Sequence, residues 1–206
     1  MPKLFYQPVR PFVVNQPFGA NTVCVNVATG KKVISCDGLN PPPGYNSVYT
    51  QFKMKGHNGL DLGASRWTPV YASRGGTVIE VETEISRGLG VGIRHDLGAD
   101  GMWKTRYWHL IGSIVELGQN VEAGQLIGYA DSTGYSTGDH LHFEVKRLNQ
   151  DGSNRYQENG YFGAEDPSPL LLPMYARDAT TLRSILEKLL AAAEALLDKL
   201  RESRIR

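Results

Sequence analysis

A chain of 206 residues with a formal net charge of +1 and 41% hydrophobic residues has the composition of an ordinary globular protein. The near-zero charge gives no electrostatic basis for binding nucleic acid or an anionic membrane surface. No stretch approaches the roughly eighteen consecutive apolar residues of a membrane span, and residues 1–8 lack the apolar segment of a signal peptide. We therefore expect no nucleic-acid partner and no membrane span.

The N-terminal quarter of the chain is rich in proline, glycine and asparagine. Residues 1–20 are interpreted as an extended strand followed by a turn, and residues 21–47 as an inserted hairpin or loop. The insertion contains Cys24 and Cys36, the only cysteines of the chain. They form either a disulfide, which would stabilise the fold by about 3 kcal/mol, or two free thiols, and the sequence leaves both readings open.

Short β-strands are predicted for most of the remaining chain. The alternating segment Tyr49–Met54 predicts a strand that leads to His57. Further strand-like runs, separated by glycine or Asp-Gly, are Thr68–Ser73, Gly76–Glu82, Gly90–His95, Lys104–Leu110, Val115–Ala130 and His140–Lys146. This spacing predicts a mainly β domain with a largely antiparallel, twisted sheet, and the polar residues 149–177 are interpreted as the exit from it.

The C-terminal residues 178–206 have a different character from the domain at residues 1–177. Leucine and isoleucine recur there at helical spacing, with alanine between them and Asp178 as the N-cap, so the pattern predicts an amphipathic α-helix. The helix either packs on its own domain or forms a short coiled coil that makes an oligomer or attaches the protein to a larger assembly.

Histidines and one aspartate give the clearest chemical signal. His57 and Asp61 are four residues apart, and His140 and His142 are two apart, a spacing that places both on one face of a strand. With His109 they form a candidate set for zinc, which in catalytic sites takes three protein ligands and keeps one position for water. Spacing alone does not decide whether His140 or His142 binds the metal. His95, the remaining histidine, is interpreted as a buried, hydrogen-bonded residue.

Several segments of the chain follow one another as successive motifs. They are Gln16–Gly19, Gly56–Asp61, Thr68–Ala72, Tyr107–Leu110, Gly124–Gly128 and Ser136–Glu144. In residues and order they resemble the motifs of the lysostaphin-like (LytM-type) zinc endopeptidases, which cut the peptide part of bacterial peptidoglycan. The resemblance extends from about Gln16 to about Leu172 and is interrupted by the insertion at residues 21–47.

The resemblance implies an antiparallel sheet with a groove, closed by loops, and zinc at the groove floor. It implies that His57, Asp61 and His142 bind the zinc and that His109 and His140 are the catalytic pair. The implied function is hydrolysis of peptide bonds in peptidoglycan cross-links or stem peptides, outside the cell, in the periplasm or on a phage particle. The alternative is a latent or non-catalytic wall-binding, regulatory or assembly component. Degenerate relatives of that kind lack ligands, whereas all five positions are intact here.

Overall fold

The computed structural model describes residues 4–20, 24–33 and 36–173. This part of the chain contains strands and two short 3₁₀ turns, Gly98–Asp100 and Ser168–Leu170. The strands are β1 (Phe5–Tyr6), β2 (Val14–Gln16), β3 (Cys24–Asn26), β4 (Lys32–Val33), β5 (Tyr45–Ser47), β6 (Leu60–Gly63), β7 (Pro69–Tyr71), β8 (Gly76–Glu84), β9 (Gly88–Asp96), β10 (Met102–Ser113), β11 (Asn120–Val121), β12 (Leu126–Ala130), β13 (His140–Leu148), β14 (Ala164–Glu165) and β15 (Leu171–Leu172). The helix predicted for residues 178–206 and its boundary with the domain lie outside the described residues. Within those residues, no helix is long and apolar enough to cross a membrane.

One ten-stranded sheet contains most of these elements. Its central order is β11-β8-β9-β10-β13-β6-β2, while β12 pairs with both β10 and β7, and β14 pairs with β13. The strand pairs of this sheet are antiparallel. Strands β3, β4 and β5 form a separate small sheet, and β1 pairs with β15. The mainly β, antiparallel fold class predicted from the sequence is therefore confirmed.

The long central strands have one apolar face and one charged face. Ile93, Tyr107 and Phe143 point into the hydrophobic core and are fully buried. Burial of each large apolar side chain of this kind contributes about 2 kcal/mol. Their neighbours along the strands point to the other face, where Arg106 lies opposite Glu144 in the β10–β13 register. Both of these charged residues are also buried, so the sheet is covered on both faces and its second face has to be held together by ion pairs.

The strand predicted for Tyr49–Met54 is wrong. Residues 48–53 form consecutive turns, and the Phe52 and Met54 amides both donate to the Tyr49 carbonyl at 3.1 Å. The Thr50 hydroxyl donates to the Gly38 carbonyl at 2.9 Å. A side-chain hydrogen bond of this kind, made to a backbone group twelve residues away, competes with strand pairing and stabilises the turns. The predicted strand segments between residues 68 and 146 are found as β7 to β13.

The described part of the insertion at residues 21–47 contains a small three-stranded sheet and a disulfide. Cys24 on β3 is bonded to Cys36, with their Cα atoms 5.9 Å apart. The reading of two free thiols is thus overturned. In the sheet register Cys24 also lies opposite Ser47, two residues before Tyr49. The disulfide therefore stands at the base of the turns at residues 48–53, which form one wall of the groove described below.

Candidate active site

Strand register brings Asp61 and His142 together. In the β13–β6 pair, His142 lies directly opposite Asp61 and His140 lies opposite Gly63. Directly opposed residues of an antiparallel pair share a face and have their Cβ atoms about 5 Å apart. The carboxylate and the imidazole are thus neighbours because of backbone pairing, although they are far apart in sequence. His142 Nδ1 lies 2.9 Å from Asp61 Oδ1.

His57 reaches the same point from the loop that precedes β6. Its amide donates to the Ala20 carbonyl at 3.0 Å, and its carbonyl accepts from the Gly19 amide at 2.8 Å. The His57 ring donates from Nδ1 to the Pro17 carbonyl, 3.0 Å away, because a carbonyl can only accept. Nε2 therefore keeps its lone pair. The ring of His142 packs so closely on Gly59 that a Cβ there would have no room.

Three donor atoms form a compact triangle. His57 Nε2 lies 3.0 Å from Asp61 Oδ1 and 2.9 Å from His142 Nδ1, and the third edge, between Asp61 and His142, is also 2.9 Å. Tetrahedral zinc with bonds of about 2.0–2.1 Å separates its ligands by about 3.3 Å. The edges of the triangle, 2.9–3.0 Å, are slightly shorter than this distance. Two imidazole nitrogens and a carboxylate oxygen are a donor set that suits zinc.

The charges at this triangle suit a cation. Burial raises the pKa of Asp61, but hydrogen bonds from His140, His142 and His57 outweigh burial and hold that pKa well below its usual range. Burial lowers the pKa of His142, yet hydrogen bonds with Asp61 and Glu144 raise it to about 9. An imidazole coordinates through a lone pair, so a cation that binds here displaces the proton from His142 Nδ1.

Glu144 forms a second layer behind the triangle. Its Oε1 lies 3.4 Å from His142 Nε2 and accepts a hydrogen bond from Asn58 Nδ2 at 3.0 Å, while its Oε2 lies 3.0 Å from Lys146 Nζ. Burial raises the pKa of this fully buried carboxyl, but the charges of Lys146, Arg106 and His142 hold it well below its ordinary value. Glu144 is therefore ionised and accepts from His142 Nε2, while Nδ1 faces Asp61 and His57.

His109 occupies a strained position at an irregularity in β10. The register with β9 shifts between Tyr107 and Leu110, and His109 has φ 64°, which is uncommon for a residue with a side chain. Its Nδ1 donates to the Thr133 carbonyl at 2.6 Å, so Nε2 keeps a lone pair. Burial lowers the pKa of His109 to about 4, and the imidazole is neutral at neutral pH.

His140 faces His109 in a similar arrangement. Its Nδ1 donates to the Gly138 carbonyl at 2.7 Å, and its Nε2 lies 3.4 Å from Asp61 Oδ1. The ring centroids of His109 and His140 are 4.6 Å apart. Burial lowers the pKa of His140, but hydrogen bonding and attraction from Asp61 raise it overall. Two imidazoles thus present Nε2 beside the triangle, each fixed by a backbone carbonyl.

The site lies in an open groove of about 600 Å³. Its lining includes Val48, Tyr49 and Phe52 from the turns after the small sheet, and Arg87 and Tyr135 from other turns. The Tyr49 hydroxyl accepts a hydrogen bond from Gln16 Nε2 at 2.6 Å. Burial raises the pKa of Tyr49 to about 12, so the phenol keeps its proton and can donate it.

The structure brings the five predicted residues together and places His95 elsewhere. His57, Asp61, His109, His140 and His142 all line the groove, whereas the His95 ring is fully buried and bonded to Gly75 and Thr105. Sequence reasoning assigned no role to Glu144 or Arg87. The two-residue spacing His140-x-His142-x-Glu144 on one strand could have identified the former, because alternate residues share a face.

Comparison with known proteins gives a consistent result. Residues 55–155 match the sequence model of Peptidase family M23. The chain is 37% identical over 116 residues to the glycyl-glycine endopeptidase ALE-1 of Staphylococcus capitis, covering 56% of this chain and 29% of that protein. It is 43% identical over 89 residues to the peptidoglycan DD-endopeptidase ShyB of Vibrio cholerae serotype O1, covering 43% of this chain and 20% of that protein. The chain thus spans less than a third of either relative.

A solved structure shares the fold. The crystal structure of a zinc-containing peptidase from Vibrio cholerae superposes with a TM-score of 0.51 at 30% identity. The match covers 70% of this chain and 37% of that one. The fold and the donor triangle therefore occur together in a chain similar to a peptidase that contains zinc.

Proposed function

The chain belongs to peptidase family M23, and we propose that it is a zinc-dependent endopeptidase that hydrolyses peptide bonds in the cross-links or stem peptides of bacterial peptidoglycan. The observation that carries this proposal is the triangle of His57, Asp61 and His142, with two further imidazoles beside it in an open groove. The names of the relatives ALE-1 and ShyB support peptidoglycan as the substrate.

In this proposal His57 Nε2, Asp61 Oδ1 and His142 Nδ1 hold the zinc. Zinc at such a site polarises a peptide carbonyl and makes water a nucleophile near neutral pH. The protein orients both imidazole ligands from outside the triangle, through the Pro17 carbonyl at Nδ1 of His57 and the Glu144 carboxylate near Nε2 of His142. Such outer partners fix which ring nitrogen carries the lone pair.

His109 and His140 transfer protons and stabilise charge. The Nδ1 hydrogen bond to Thr133 leaves Nε2 of the neutral His109 ring able to accept a proton from the attacking water, while His140, whose pKa is raised by Asp61, can donate from Nε2. After proton transfer the His109 Nε2–H can donate to the developing oxyanion or to the leaving amine. Tyr49 also lines the groove, and its hydroxyl, which accepts from Gln16, can donate its own proton there.

The setting of the enzyme follows from its substrate. A peptidoglycan hydrolase acts on the cell wall, outside the cell or in the periplasm, and carriage by a phage particle remains part of the proposal. Oligomerisation or attachment through residues 178–206 stays a prediction from the sequence. The alternative, a latent or non-catalytic wall protein, is disfavoured because all five site positions are occupied by competent residues.

The test measures metal content and wall hydrolysis on the same preparations of wild type, His57→Ala and His109→Ala. We expect about one zinc per wild-type chain, and loss of both zinc and hydrolysis in His57→Ala. His109→Ala should keep its zinc and lose about 10²–10⁴-fold in turnover, the usual contribution of a general acid or base. The exposed variant Arg94→Gln serves as the control and should retain both properties.

Two results would contradict the proposal. A wild-type protein that binds zinc but releases no free amines from any wall type would favour the latent or regulatory alternative. A wild-type protein that binds no zinc would refute the mechanism.

A further inference from the structure

A short segment, Asp131–Thr133, links the two imidazoles proposed to be catalytic. The Asp131 amide donates to the His109 carbonyl at 2.9 Å, and the Asp131 carbonyl accepts from the His140 amide at 3.1 Å. Two residues later, the Thr133 carbonyl accepts from His109 Nδ1 at 2.6 Å. The orientation of the His109 ring therefore depends on where the backbone of this segment lies.

The Thr133 hydroxyl attaches that backbone to two strands at once. Its Oγ1 donates to the Leu110 carbonyl of β10 at 2.8 Å and accepts from the Leu89 amide of β9 at 3.2 Å. Leu110 and Leu89 lie opposite each other where the β9–β10 register resumes after the irregularity that contains His109. One hydroxyl thus joins both strands to the segment that orients the imidazole.

Close backbone packing holds the segment from its other side. A Cβ on Gly88, in the turn from β8 to β9, would overlap the Thr133 hydroxyl and carbonyl, and a Cβ on Gly134 would overlap the Gly88 amide. Both glycines have a positive φ, 69° and 78°, which a residue with a side chain adopts only with strain. The His109 amide donates to the Arg87 carbonyl of the same turn at 3.2 Å.

We propose that Thr133 is a positioning residue for proton transfer. Its hydroxyl holds its own carbonyl against His109 Nδ1, so that the ring keeps one tautomer, with the lone pair on Nε2. This inference rests on the proposed function, in which His109 accepts a proton from the attacking water. Thr133 acts through His109, because it is not among the described residues that line the groove.

The chemistry of the contact supports this role. A carbonyl can only accept, so it requires the ring proton on Nδ1, and it orients the ring only as firmly as it is itself held. Without the hydroxyl, the Leu110 carbonyl and the Leu89 amide each lose a partner, and the segment is released from both strands. A displacement of about 1 Å at a reacting group can cost about 100-fold in rate.

The experiment measures kcat and KM of the zinc-loaded full chain on the soluble cross-linked muropeptide that the wild type cleaves fastest. Thr133→Val keeps the branched shape and removes both hydrogen bonds, whereas Thr133→Ser keeps the hydroxyl. We expect Thr133→Val to lose about 10–100-fold in kcat, with KM within about twofold of wild type. Its zinc content should stay unchanged, since no described hydrogen bond joins Thr133 to a proposed zinc ligand. Thr133→Ser should keep kcat within about threefold.

Thr68→Val is the matched control for the loss of a hydroxyl. Thr68 is half-buried like Thr133, and it is not among the described residues that line the groove. Because its hydroxyl makes no hydrogen bond with a described residue, the same substitution there should leave kcat and KM unchanged.

A second readout follows the His109 ring without turnover. In ¹⁵N NMR spectra of the zinc-loaded wild type, the His109 signals are those absent from His109→Gln. They should show a neutral ring with its proton on Nδ1 alone. In Thr133→Val they should show both tautomers, because the carbonyl that selects one of them is no longer held.

Three results would overturn the inference and leave the proposed function intact, provided that the wild type cleaves the muropeptide. The first is a wild-type ring with its proton on Nε2, which decides the matter even if Thr133→Val does not fold. The second is an unchanged kcat in Thr133→Val. The third is an equal loss of kcat in Thr133→Ser, which would show that packing matters and the hydroxyl does not. A wild type that cleaves no muropeptide would overturn both.

Discussion

Five described residues other than glycine have a positive φ, and two of them, His109 and Trp67, lie in different surroundings. His109 has φ 64° and Trp67 has φ 70°. At His109 the conformation belongs to the irregularity in β10 that brings the imidazole next to His140. Trp67 is 59% exposed, and its recorded ring contacts are with Tyr129, 5.9 Å between centroids, and Arg66. Strain at the first residue accompanies a proposed catalytic role, and strain at the second accompanies no role that we identify.

This strain predicts that glycine is more stabilising than alanine at position 67, the reverse of the usual order. Left-handed backbone costs a residue with a Cβ about 1 kcal/mol more than glycine. Trp67→Ala and Trp67→Gly both remove the exposed ring, so they differ chiefly in that cost. We expect the Gly variant to be about 1 kcal/mol more stable than the Ala variant, as measured by the free energy of unfolding in urea.

Leu117 provides the comparison site, because it is 70% exposed in a turn and has no positive φ. There the Ala variant should be more stable than the Gly variant, owing to the greater flexibility of unfolded glycine. If glycine were the less stable at position 67 as well, the strain argument would fail.

For single residues, the sequence could identify the histidines of the site but not which nitrogen of each imidazole carries the proton. The order and spacing of motifs brought out His57, Asp61, His109, His140 and His142. The nitrogen that each imidazole presents depends on acceptors that are distant in sequence or have no side-chain identity, such as the carbonyls of Pro17 and Thr133. Backbone acceptors leave no trace in a sequence pattern, so tautomers could be read only from the structure.

At the scale of elements, a row of residues across four strands supports the site from one face of the sheet. Glu80 lies opposite Gly92, Gly92 opposite Arg106, and Arg106 opposite Glu144. A Cβ on Gly92 would overlap the Glu80 carboxylate. The glycine therefore lets Glu80 cross β9 and accept from Arg106 Nε at 2.7 Å. The chain of charges ends at Glu144, whose Oε1 lies 3.4 Å from Nε2 of His142, a proposed zinc ligand on β13.

Removing the charge of Glu144 should weaken metal binding and folding together. Glu144→Gln keeps the shape but leaves the buried Lys146 without its carboxylate partner, which costs about 3–5 kcal/mol, while Arg106 keeps Glu80. It also releases His142 from its outer partner, and loss of such partners lowers metal affinity about 10–100-fold. Chelator competition for zinc and urea unfolding on the same variant measure the two effects.

Glu165→Gln is the matched control. Glu165 accepts from Arg147 at 3.0 Å on the neighbouring strand β14, with 27% of its side chain exposed. A partly exposed ion pair contributes at most about 1 kcal/mol to stability. Because Glu165 does not line the groove, zinc affinity should stay unchanged. Unchanged zinc affinity in Glu144→Gln would show that Glu144 does not orient His142.

The sequence predicted those strands whose own residues contain the pattern of a strand. β8, β9, β10 and β13 are long, alternating and bounded by turn residues, and all four were predicted. Tyr49–Met54 also alternates, but its fold is determined by the disulfide-closed insertion beneath it and by the Thr50–Gly38 hydrogen bond. Alternation over six residues was too weak a signal to outweigh tertiary contacts.

At the scale of the whole molecule, a buried polar chain ties the strands of the core together. The Ser73 amide donates to the Tyr107 hydroxyl at 2.8 Å, the Tyr107 and Thr105 hydroxyls lie 3.0 Å apart, and Thr105 Oγ1 lies 2.8 Å from His95 Nε2. Because His95 Nδ1 donates to the Gly75 carbonyl at 3.0 Å, the neutral ring accepts at Nε2. With the ring neutral, Thr105 donates to Nε2 and the Tyr107 hydroxyl donates to Thr105 Oγ1, whereas a proton on Nε2 would reverse both bonds and leave the Tyr107 hydroxyl hydrogen without an acceptor in this chain.

Burial of His95 makes the folded protein sensitive to acid at a position remote from the groove. Burial lowers the pKa of His95 from 6.5 to about 4. The unfolded chain therefore binds a proton at His95 below about pH 6.5 that the folded protein does not bind until about pH 4, and stability falls as pH decreases through this window. Between about pH 7.5 and about pH 5 the loss from this residue is about 2 kcal/mol.

The measurement is the free energy of unfolding in urea, at both pH values, for wild type and His95→Gln. The other four histidines titrate in both proteins, so the difference between the two proteins isolates His95. Wild type should be the more stable at the higher pH, and its advantage should shrink by about 2 kcal/mol at the lower one. An advantage that stays constant would mean that His95 is charged or solvated in the folded state. Since the buried chain joins β9 and β10, and β10 also contains His109, acid that opens this core should abolish activity by unfolding.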